Sequence, residues 1–246
     1  MNGAGGAAVK FERVSKSFDT KPVLQDLSFQ VRSGEALCIL GRSGTGKSVT
    51  LKLIVSLLKP DTGSVWVEQD EISRLHPSDL SRVRRKMGFL FQDAALFDSL
   101  TLYENLALPL LRLTDKPPEE VEHVIDRVLR QVRLASDRRK LPSELSGGMR
   151  KRAGLARALV LEPSILLADE PSSGLDRITA AEIDDLLLAL KVDYRTTLIV
   201  VTHDVRGARR VADRILVLDQ GRLLADGTPD EIEHSENDIA RRLMSE

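Results

Sequence analysis

Cysteine is nearly absent from this sequence, since Cys38 is the only one among 246 residues. No disulfide can therefore form within the chain, and because Cys38 lies in the apolar run ALCIL we expect it to be buried packing. No apolar stretch reaches the ~20 residues that a membrane-spanning helix needs, and residues 1–10 have no hydrophobic signal core. These absences favour a reducing, cytoplasmic compartment. Residues 1–8 are small and Gly-rich, so we expect them to be disordered.

An excess of charge of either sign is also lacking. Lys and Arg number 36 against 37 Asp and Glu, so the formal net charge of -1 gives no general attraction to nucleic acid. Two basic runs, RVRRK (82–86) and MRKRAGLAR (149–157), have no aromatic residues interleaved with them. We interpret both runs as solvated helix faces and expect no nucleic-acid partner. Binding to nucleic acid or to acidic lipid is the alternative interpretation.

The order of apolar patterns predicts the fold class. Alternating segments such as VKFERVSKSF and VLQDLSFQVRSG indicate an antiparallel β subdomain near the N-terminus. Apolar segments such as EALCIL, SILLADE and TTLIVVTHD indicate strands buried on both faces, and helical patterns lie between them. This alternation favours an α/β fold with a mostly parallel sheet and right-handed crossovers. The pattern is helical from about 93 to 161, which predicts an inserted helical subdomain within a single domain over 9–246.

The segment GRSGTGKS matches the phosphate-loop pattern G-x-x-x-x-G-K-[ST] in full. A buried strand precedes it and a helix predicted from Lys47 to about Leu58 follows it, which is the context that the motif requires. Glycines let backbone N–H groups surround phosphates, Lys47 reaches the outer phosphates and Ser48 can hold Mg²⁺. The sequence therefore predicts a P-loop NTPase core of the RecA-like type. The predicted nucleotide-binding residues of this segment are Gly41, Arg42, Ser43, Gly44, Thr45, Gly46, Lys47, Ser48 and Val49.

Polar side chains follow other buried strands at the point where each strand ends. Asp169 and Glu170 close SILLADE, His203 follows TTLIVV, and Gln92 follows GFLF. Ligands of open α/β sheets bind at this edge, so we predict that Asp169 holds Mg²⁺ indirectly and that Glu170 orients the attacking water. Each residue alone has an ordinary interpretation as a strand cap, a structural hydrogen bonder or a surface group. Their common position beside a phosphate loop favours the functional interpretation.

A second helix start suited to an anion lies about a hundred residues downstream, in ELSGGMRKRAGLARAL. Ser146 is a natural N-cap, and Gly147 and Gly148 follow it, so this helix presents free N–H groups and the positive end of its dipole. These residues by themselves leave open which phosphate the helix meets.

The motif LSGGM resembles the signature motif of ABC transporter nucleotide-binding subunits, and the resemblance extends along nearly the whole chain. It implies ATP and Mg²⁺ as cofactors and Phe18 as the aromatic residue stacked on adenine. It implies that Gln92 touches Mg²⁺ and the membrane partner, that Glu170 is the catalytic base, and that His203 contacts the γ-phosphate. Lys47 joins these three as a residue expected to take part in catalysis.

The same resemblance answers the question of the second helix start. In this family two subunits pack head to tail, and the signature helix of one caps the γ-phosphate bound by the other. It implies a dimer in which Ser146, Gly147 and Gly148 bind the partner's nucleotide, and in which Asp176 of SGLD lies in the loop that crosses between subunits. Met149 replaces the usual Gln and Arg177 a frequent Pro, but neither change removes a catalytic group.

The sequences of these motifs resemble most those of ATPase subunits of Mla/Mce-type systems, which move phospholipids or related hydrophobic compounds between bacterial membranes. The similar segments are GRSGTGKSVTLKLI, FLFQDAALFDSLTLYENLALPL and ELSGGMRKRAGLARAL. This resemblance implies an integral permease and an Mce-domain lipid-binding protein as partners, and a peripheral position on the cytoplasmic face of the inner membrane. The alternatives are the ATPase of an importer of amino acids or another small solute, and a soluble non-transport ABC ATPase.

The segment ALFDSLTLYENLALPLL contains more apolar residues than one face of an amphipathic helix needs. Core packing explains most of it. The residues Phe97, Leu100, Leu102 and Tyr103 also suit a groove that receives a partner's helix, so we hypothesise that the permease docks there.

Overall fold

The computed structural model describes residues 6–245, and within that range the chain forms two sheets and a set of covering helices. The strands are Ala7–Phe18 (β1), Lys21–Arg32 (β2), Ala36–Leu40 (β3), Thr62–Val67 (β4), Asp70–Glu71 (β5), Met87–Leu90 (β6), Ile165–Asp169 (β7), Thr197–Thr202 (β8), Arg214–Asp219 (β9) and Arg222–Gly227 (β10). The helices are Lys47–Ile54 (α1), Pro77–Arg84 (α2), Leu102–Leu113 (α3), Pro118–Gln131 (α4), Gly147–Leu159 (α5), Arg177–Tyr194 (α6), Val205–Val211 (α7), Pro229–Glu233 (α8) and Asp238–Met244 (α9).

The smaller sheet is antiparallel and has the strand order β2-β1-β4-β5. The prediction of disorder through residue 8 is wrong at its end, because Ala7 pairs with Arg32 and the carbonyl of Ala8 accepts from the N–H of Glu68 at 2.9 Å. Backbone hydrogen bonds need no particular side chain, so a small-residue composition does not exclude a paired strand. Residues 1–5, the rest of that prediction, lie outside the described residues.

The larger sheet has the strand order β10-β9-β3-β8-β7-β6, and β10 is its antiparallel strand. The pairs of β3 with β8 and β9, of β8 with β7, and of β7 with β6 are all parallel. Every residue of β3 and β8 is buried, which agrees with the apolar runs that predict them. The mostly parallel α/β sheet expected from the sequence is confirmed, and the carboxyl ends of β3, β6, β7 and β8 lie along one edge of it.

Alternate side chains of β3 enter two different cores. Ala36, Cys38 and Leu40 belong to the cluster shared with α3 to α7, and Leu37 and Ile39 belong to the cluster under the antiparallel sheet and α1. Burial raises the pKa of the Cys38 thiol to about 12, so this residue is the inert packing group that its sequence context indicates.

The segment between β6 and β7 contains α3, α4 and α5, as the helical pattern predicts. A capping box of Thr101 and Glu104 starts α3, whereas Ser146 starts α5 by accepting from the N–H of Met149 at 3.3 Å. No helix within residues 6–245 is both long and apolar enough to cross a lipid bilayer.

Helix α1 is shorter than the sequence suggests. Its predicted end at Leu58 is wrong, because Ser56 adopts a left-handed conformation with a φ of 53° and the helix stops at Ile54. The N–H groups of Leu57 and Leu58 both turn back to the carbonyl of Lys52. The start of α1 at Lys47, which determines the geometry of the phosphate loop, is where the motif predicts it.

Candidate active site

The phosphate loop connects the buried end of β3 to the first turn of α1. Gly46 is the N-cap and has a φ of 103°, and a side chain there would lie 2.6 Å from Cδ2 of Leu24, so only glycine fits. No side chain caps α1, which leaves its first N–H groups free to bind an anion. Nζ of Lys47 donates to the carbonyl oxygens of Gly41 at 2.7 Å and Arg42 at 3.1 Å, which holds the ammonium inside the loop.

Ser48 and Asp169 meet beside this loop. Oγ of Ser48 donates to Oδ1 of Asp169 at 2.8 Å, although the two residues are 121 positions apart in the chain. Burial raises the pKa of Asp169, and the hydrogen bond from Ser48 opposes that rise. A hydroxyl and a carboxylate are hard oxygen ligands of the kind that Mg²⁺ prefers.

Glu170 is the centre of a buried polar group at the same sheet edge. Its Oε2 lies 2.8 Å from Nδ1 of His203 and accepts from Oγ1 of Thr202 at 3.3 Å. Its Oε1 lies 3.6 Å from Nζ of Lys47. Only 9% of Glu170 is exposed, and its φ of 47° is left-handed, which is uncommon for a residue other than glycine. The Glu170 side chain therefore faces the phosphate loop, with the Lys47 ammonium and the His203 imidazole as its neighbours.

These side chains line one cleft of about 500 Å³. Its walls are Phe18, Val23, Ser43, Gly44, Gly46, Lys47, Ser48, Val49, Gln92, Glu170 and His203. The Phe18 ring is 42% exposed at the margin of the cleft, as a stacking surface requires. Of the other predicted residues, Gly41, Arg42 and Thr45 form the inner turn of the loop, and Asp169 reaches the cleft through Ser48.

Four further predicted residues neither line this cleft nor belong to the phosphate loop. Ser146 and Gly147 are exposed at the start of α5, and Gly148 is buried beside them. Asp176 caps α6, where Oδ1 accepts from the N–H groups of Ile178 and Thr179 and Oδ2 accepts from Oγ1 of Thr179 at 2.6 Å. The hydrogen bonds from Thr179 also lower the pKa of Asp176.

The sequence interpretation missed Lys151, which it treated as part of a solvated basic face. Only 7% of Lys151 is exposed, and its ammonium touches the backbone of two predicted site residues, Gln92 and Glu170. A signal was present in the helical spacing. Positions 148, 151, 155 and 159 of α5 are all buried, so Lys151 falls on the apolar stripe of its helix.

A mixed α/β sheet with a phosphate loop, a hydroxyl–carboxylate pair and a carboxylate at one strand edge defines a P-loop nucleoside triphosphatase. Its family follows from the match of the ABC transporter family profile to residues 24–173. The chain belongs to the ABC transporter family, as an ATP-binding subunit that binds and hydrolyses ATP.

Relatives and solved structures of this family are similar along most of the chain. A probable ribonucleotide transport ATP-binding protein of Mycobacterium leprae is 39% identical over 240 residues, covering 98% of this chain and 69% of that protein. Methionine import ATP-binding protein MetN 1 of Bacillus cereus is 40% identical over 228 residues, covering 91% of this chain and 66% of that protein. A dimeric post-hydrolysis ATP-binding cassette bound to ADP and Pi superposes with a TM-score of 0.84 at 34% identity, covering 89% of this chain and 98% of that one.

Two carboxylates next to the site provide a test of the electrostatics. Asp184 of α6 and Asp204, the residue after His203, approach each other across Gly207: a Cβ on that glycine would lie 3.1 Å from Oδ1 of Asp184 and 3.0 Å from Oδ2 of Asp204. Burial raises the pKa of Asp184 to about 6, with repulsion from Asp204 as the next cause; Asp185 adds to the rise and Arg210 opposes it.

Asp184→Asn is therefore expected to raise the free energy of unfolding at pH 8 by about 3 kcal/mol, from the difference between 3.8 and about 6. As pH rises above 3.8, Asp184 ionises in the unfolded chain before it ionises in the native state. The free energy of unfolding therefore falls until pH passes about 6. The gain in the variant should accordingly shrink at pH 5. Urea unfolding at pH 8 and pH 5 measures it, with the exposed Asp193→Asn as control; a gain equal at both pH values would contradict this account.

Proposed function

We propose that this chain is the ATPase subunit of a membrane transporter and that it hydrolyses ATP between two copies of itself. The observation that carries the proposal is that Lys47, Ser48, Glu170 and His203, which follow three different strands, line one cleft. Asp169 is hydrogen-bonded to Ser48 beside that cleft. The proposal treats 9–246 as one ATPase domain with the helical subdomain at about 93–161.

Each of these side chains then has a defined task. The free N–H groups of α1 and Nζ of Lys47 bind phosphate oxygens. Ser48, Asp169 and Gln92 would hold Mg²⁺, which when bound screens the phosphate charge. Glu170 accepts a proton from the attacking water as general base, and His203 orients the Glu170 carboxylate and contacts the γ-phosphate. Phe18 stacks on adenine with its exposed ring face.

A second copy supplies the contacts that one chain lacks. The start of α5, at Ser146 and Gly147, is exposed and outside the cleft, so it is free to cap a nucleotide bound by a partner. Asp176 holds the loop before α6 in shape for the crossing between subunits. ATP-binding cassettes of this family dimerise and pair with membrane permease subunits, and one of the solved neighbours is such a dimer.

The proposed permease contact narrows from four residues to one exposed side chain. Leu102 is 1% exposed in the core, and Leu100 is half-buried. Tyr103 lies under the guanidinium of Arg138, whereas Phe97 is 51% exposed. Asn105, which is fully buried, accepts from the N–H of Phe97 at 2.8 Å and donates to the carbonyls of the same loop. The loop therefore presents Phe97 as a fixed apolar contact.

Phe97→Asp is expected to reduce recovery of the permease with the tagged chain while leaving its thermal midpoint unchanged, because the side chain is exposed and only its backbone supports the loop. Co-purification from detergent-solubilised membranes measures this. Val192→Asp is the control, since Val192 is 66% exposed on α6, on a different part of the surface. Unchanged recovery with Phe97→Asp would remove the assignment of this loop as the permease dock.

We further propose that the transported substrate is a phospholipid or a related hydrophobic compound, that an Mce-domain lipid-binding protein is a partner, and that the chain is peripheral on the cytoplasmic face of the inner membrane. The lipid proposal is supported by the sequences of the motifs, which are similar to those of Mla/Mce-type ATPases. An importer of an amino acid or another small solute is the second candidate, and the similarity to the methionine import protein favours it.

Affinity purification of the tagged chain from its own membranes, followed by mass spectrometry of proteins and lipids, separates these candidates. Recovery of a permease, an Mce-domain protein and phospholipid supports the lipid proposal. A permease with a solute-binding protein supports the importer instead. Absence of any permease would overturn both transport proposals.

A further inference from the structure

Lys151 is the one buried cation of helix α5 within residues 6–245, and all of its hydrogen-bonding capacity is used. Nζ donates to the carbonyl of Gln92 at 2.5 Å, to the carbonyl of Glu170 at 2.8 Å and to Oγ of Ser173 at 3.3 Å. An ammonium has three N–H donors, so each finds one acceptor. A side chain with this many defined partners is held in a single position.

The three acceptors belong to the segments that carry the active site. Gln92 lies in the loop after β6, and Glu170 and Ser173 lie in the loop after β7. Oγ and the N–H of Ser173 also donate to the Glu170 carbonyl, at 2.9 and 3.2 Å, so three donors meet on that one oxygen. Lys151 therefore connects the signature helix α5 to both loops that contribute side chains to the cleft.

The contact with Glu170 is made at a strained part of the backbone. A left-handed conformation is unfavourable for a residue other than glycine and persists only where its surroundings hold it. The Glu170 N–H donates to the Val201 carbonyl at 2.9 Å, and its own carbonyl accepts from Lys151 and Ser173. These bonds fix both ends of the residue, and its side-chain direction follows from them.

The charge of Lys151 also acts on the site. Burial lowers the pKa of Lys151, whereas Asp93, Glu170 and Asp169 oppose that drop.

The position of Lys151 along α5 connects it to the proposed dimer contact. It lies four residues, or about 6 Å along the helix axis, from Gly147 at the exposed end. Nucleotide bound by a second copy would contact the Gly147 end of α5. Because Gly147 and Lys151 lie on the same helix, a movement of that end also moves the ammonium.

We propose that Lys151 is a positioning residue that couples the placement of the signature helix to the geometry of Glu170 and Gln92. It sets the rate of hydrolysis without touching ATP. This inference rests on the proposed function of the site, and it assigns to this lysine the regulation of that site by the helical subdomain.

Lys151→Met tests the proposal, because methionine retains most of the volume of the side chain and removes all three bonds. We expect kcat for ATP to fall at least about tenfold, since small misplacements of catalytic groups have effects of up to about a hundredfold. KM and the equilibrium binding of a fluorescent ATP analogue should stay near the wild-type values, because the phosphate loop is untouched. Lys151→Arg, which retains donors and charge, should recover part of kcat.

Two further variants make the outcomes distinct. Lys116→Met removes an exposed lysine whose partner is Glu120, and it should leave kcat unchanged. Lys47→Ala should abolish turnover; if it does not, the turnover comes from elsewhere and the proposed function of the site fails.

If Lys47→Ala is inactive and Lys151→Met retains wild-type kcat, the inference about Lys151 alone is wrong. A loss of kcat accompanied by an equal loss of ATP binding, with no recovery in Lys151→Arg, indicates a purely structural lysine and also overturns it. Where Lys151→Met fails to fold, the ratio of kcat to KM effects in Lys151→Arg decides: a kcat effect alone supports the inference, and effects on both or on neither overturn it.

Discussion

Replacing Glu170 with Gln is expected to lower steady ATP turnover by at least about a hundredfold, because removing a positioned general base costs about 10²–10⁴ in rate. The Glu170 carboxylate lies 2.8 Å from Nδ1 of His203 and 3.6 Å from Nζ of Lys47, so it faces the phosphate loop. An amide has nearly the same shape but cannot accept the proton. Nucleotide binding should survive, because the contacts of Lys47 and Ser48 with the loop do not depend on the charge of residue 170.

The same variant should accumulate a dimer in the presence of ATP, since a nucleotide that is bound but not hydrolysed keeps two copies together. Phosphate release measures the turnover, and gel filtration with and without ATP measures the dimer. Glu236→Gln, which neutralises an exposed carboxylate between α8 and α9, is the matched control. Turnover by Glu170→Gln at the wild-type rate would contradict the assignment of Glu170 as the general base.

Gly147→Ala is expected to reduce turnover by about a hundredfold without loss of stability, because the added methyl group would push a bound phosphate away from the N–H groups of this helix end. Loss of one donor to a reacting oxyanion costs about 10²–10³ in rate. Within one chain a methyl group at Gly147 meets only Cδ2 of Leu175, at an ordinary 3.6 Å. The position is exposed, so any intolerance of alanine must come from a molecule that approaches this helix end. The proposed occupant is the terminal phosphate bound by a second copy.

The neighbouring glycine separates that effect from folding. A methyl group at Gly148 would lie 2.3 Å from Cγ2 of Thr179, whose Oγ1 is bound to Asp176, so it must displace the cap of α6. Gly148→Ala should therefore lower the free energy of unfolding by about 1–3 kcal/mol, as overpacking does. Urea unfolding and phosphate release on both variants measure the contrast. Wild-type turnover by Gly147→Ala would contradict the proposal that this helix end contacts the nucleotide.

The site could be predicted as far as local patterns reach. The phosphate loop is contiguous, and a strand before it and a helix after it suffice to predict its shape. Asp169, Glu170 and His203 could be proposed because each lies at the end of an apolar run, and runs of that kind end at one edge of a parallel sheet. Ala7 and Ala8 were predicted wrongly because the partners that order them, Arg32 and Glu68, are remote in the chain.

Lys151 marks the limit of the same reasoning. Its position on the buried stripe of α5 was readable, but a lysine among basic residues is ordinarily solvated, so composition outweighed spacing. Its three acceptors come from segments 59, 19 and 22 residues away, and two of them are backbone carbonyls that no sequence pattern identifies.

By itself the sequence determined the α/β class, the phosphate loop and the polar residues at strand ends, because helix and strand periods and glycine-dependent turns are local properties. The tertiary structure alone decided the strand order β10-β9-β3-β8-β7-β6, the approach of Ser48 to Asp169 and the burial of Lys151. These features depend on which distant segments pack together, and packing energy is a property of the whole arrangement of side chains rather than of any one segment.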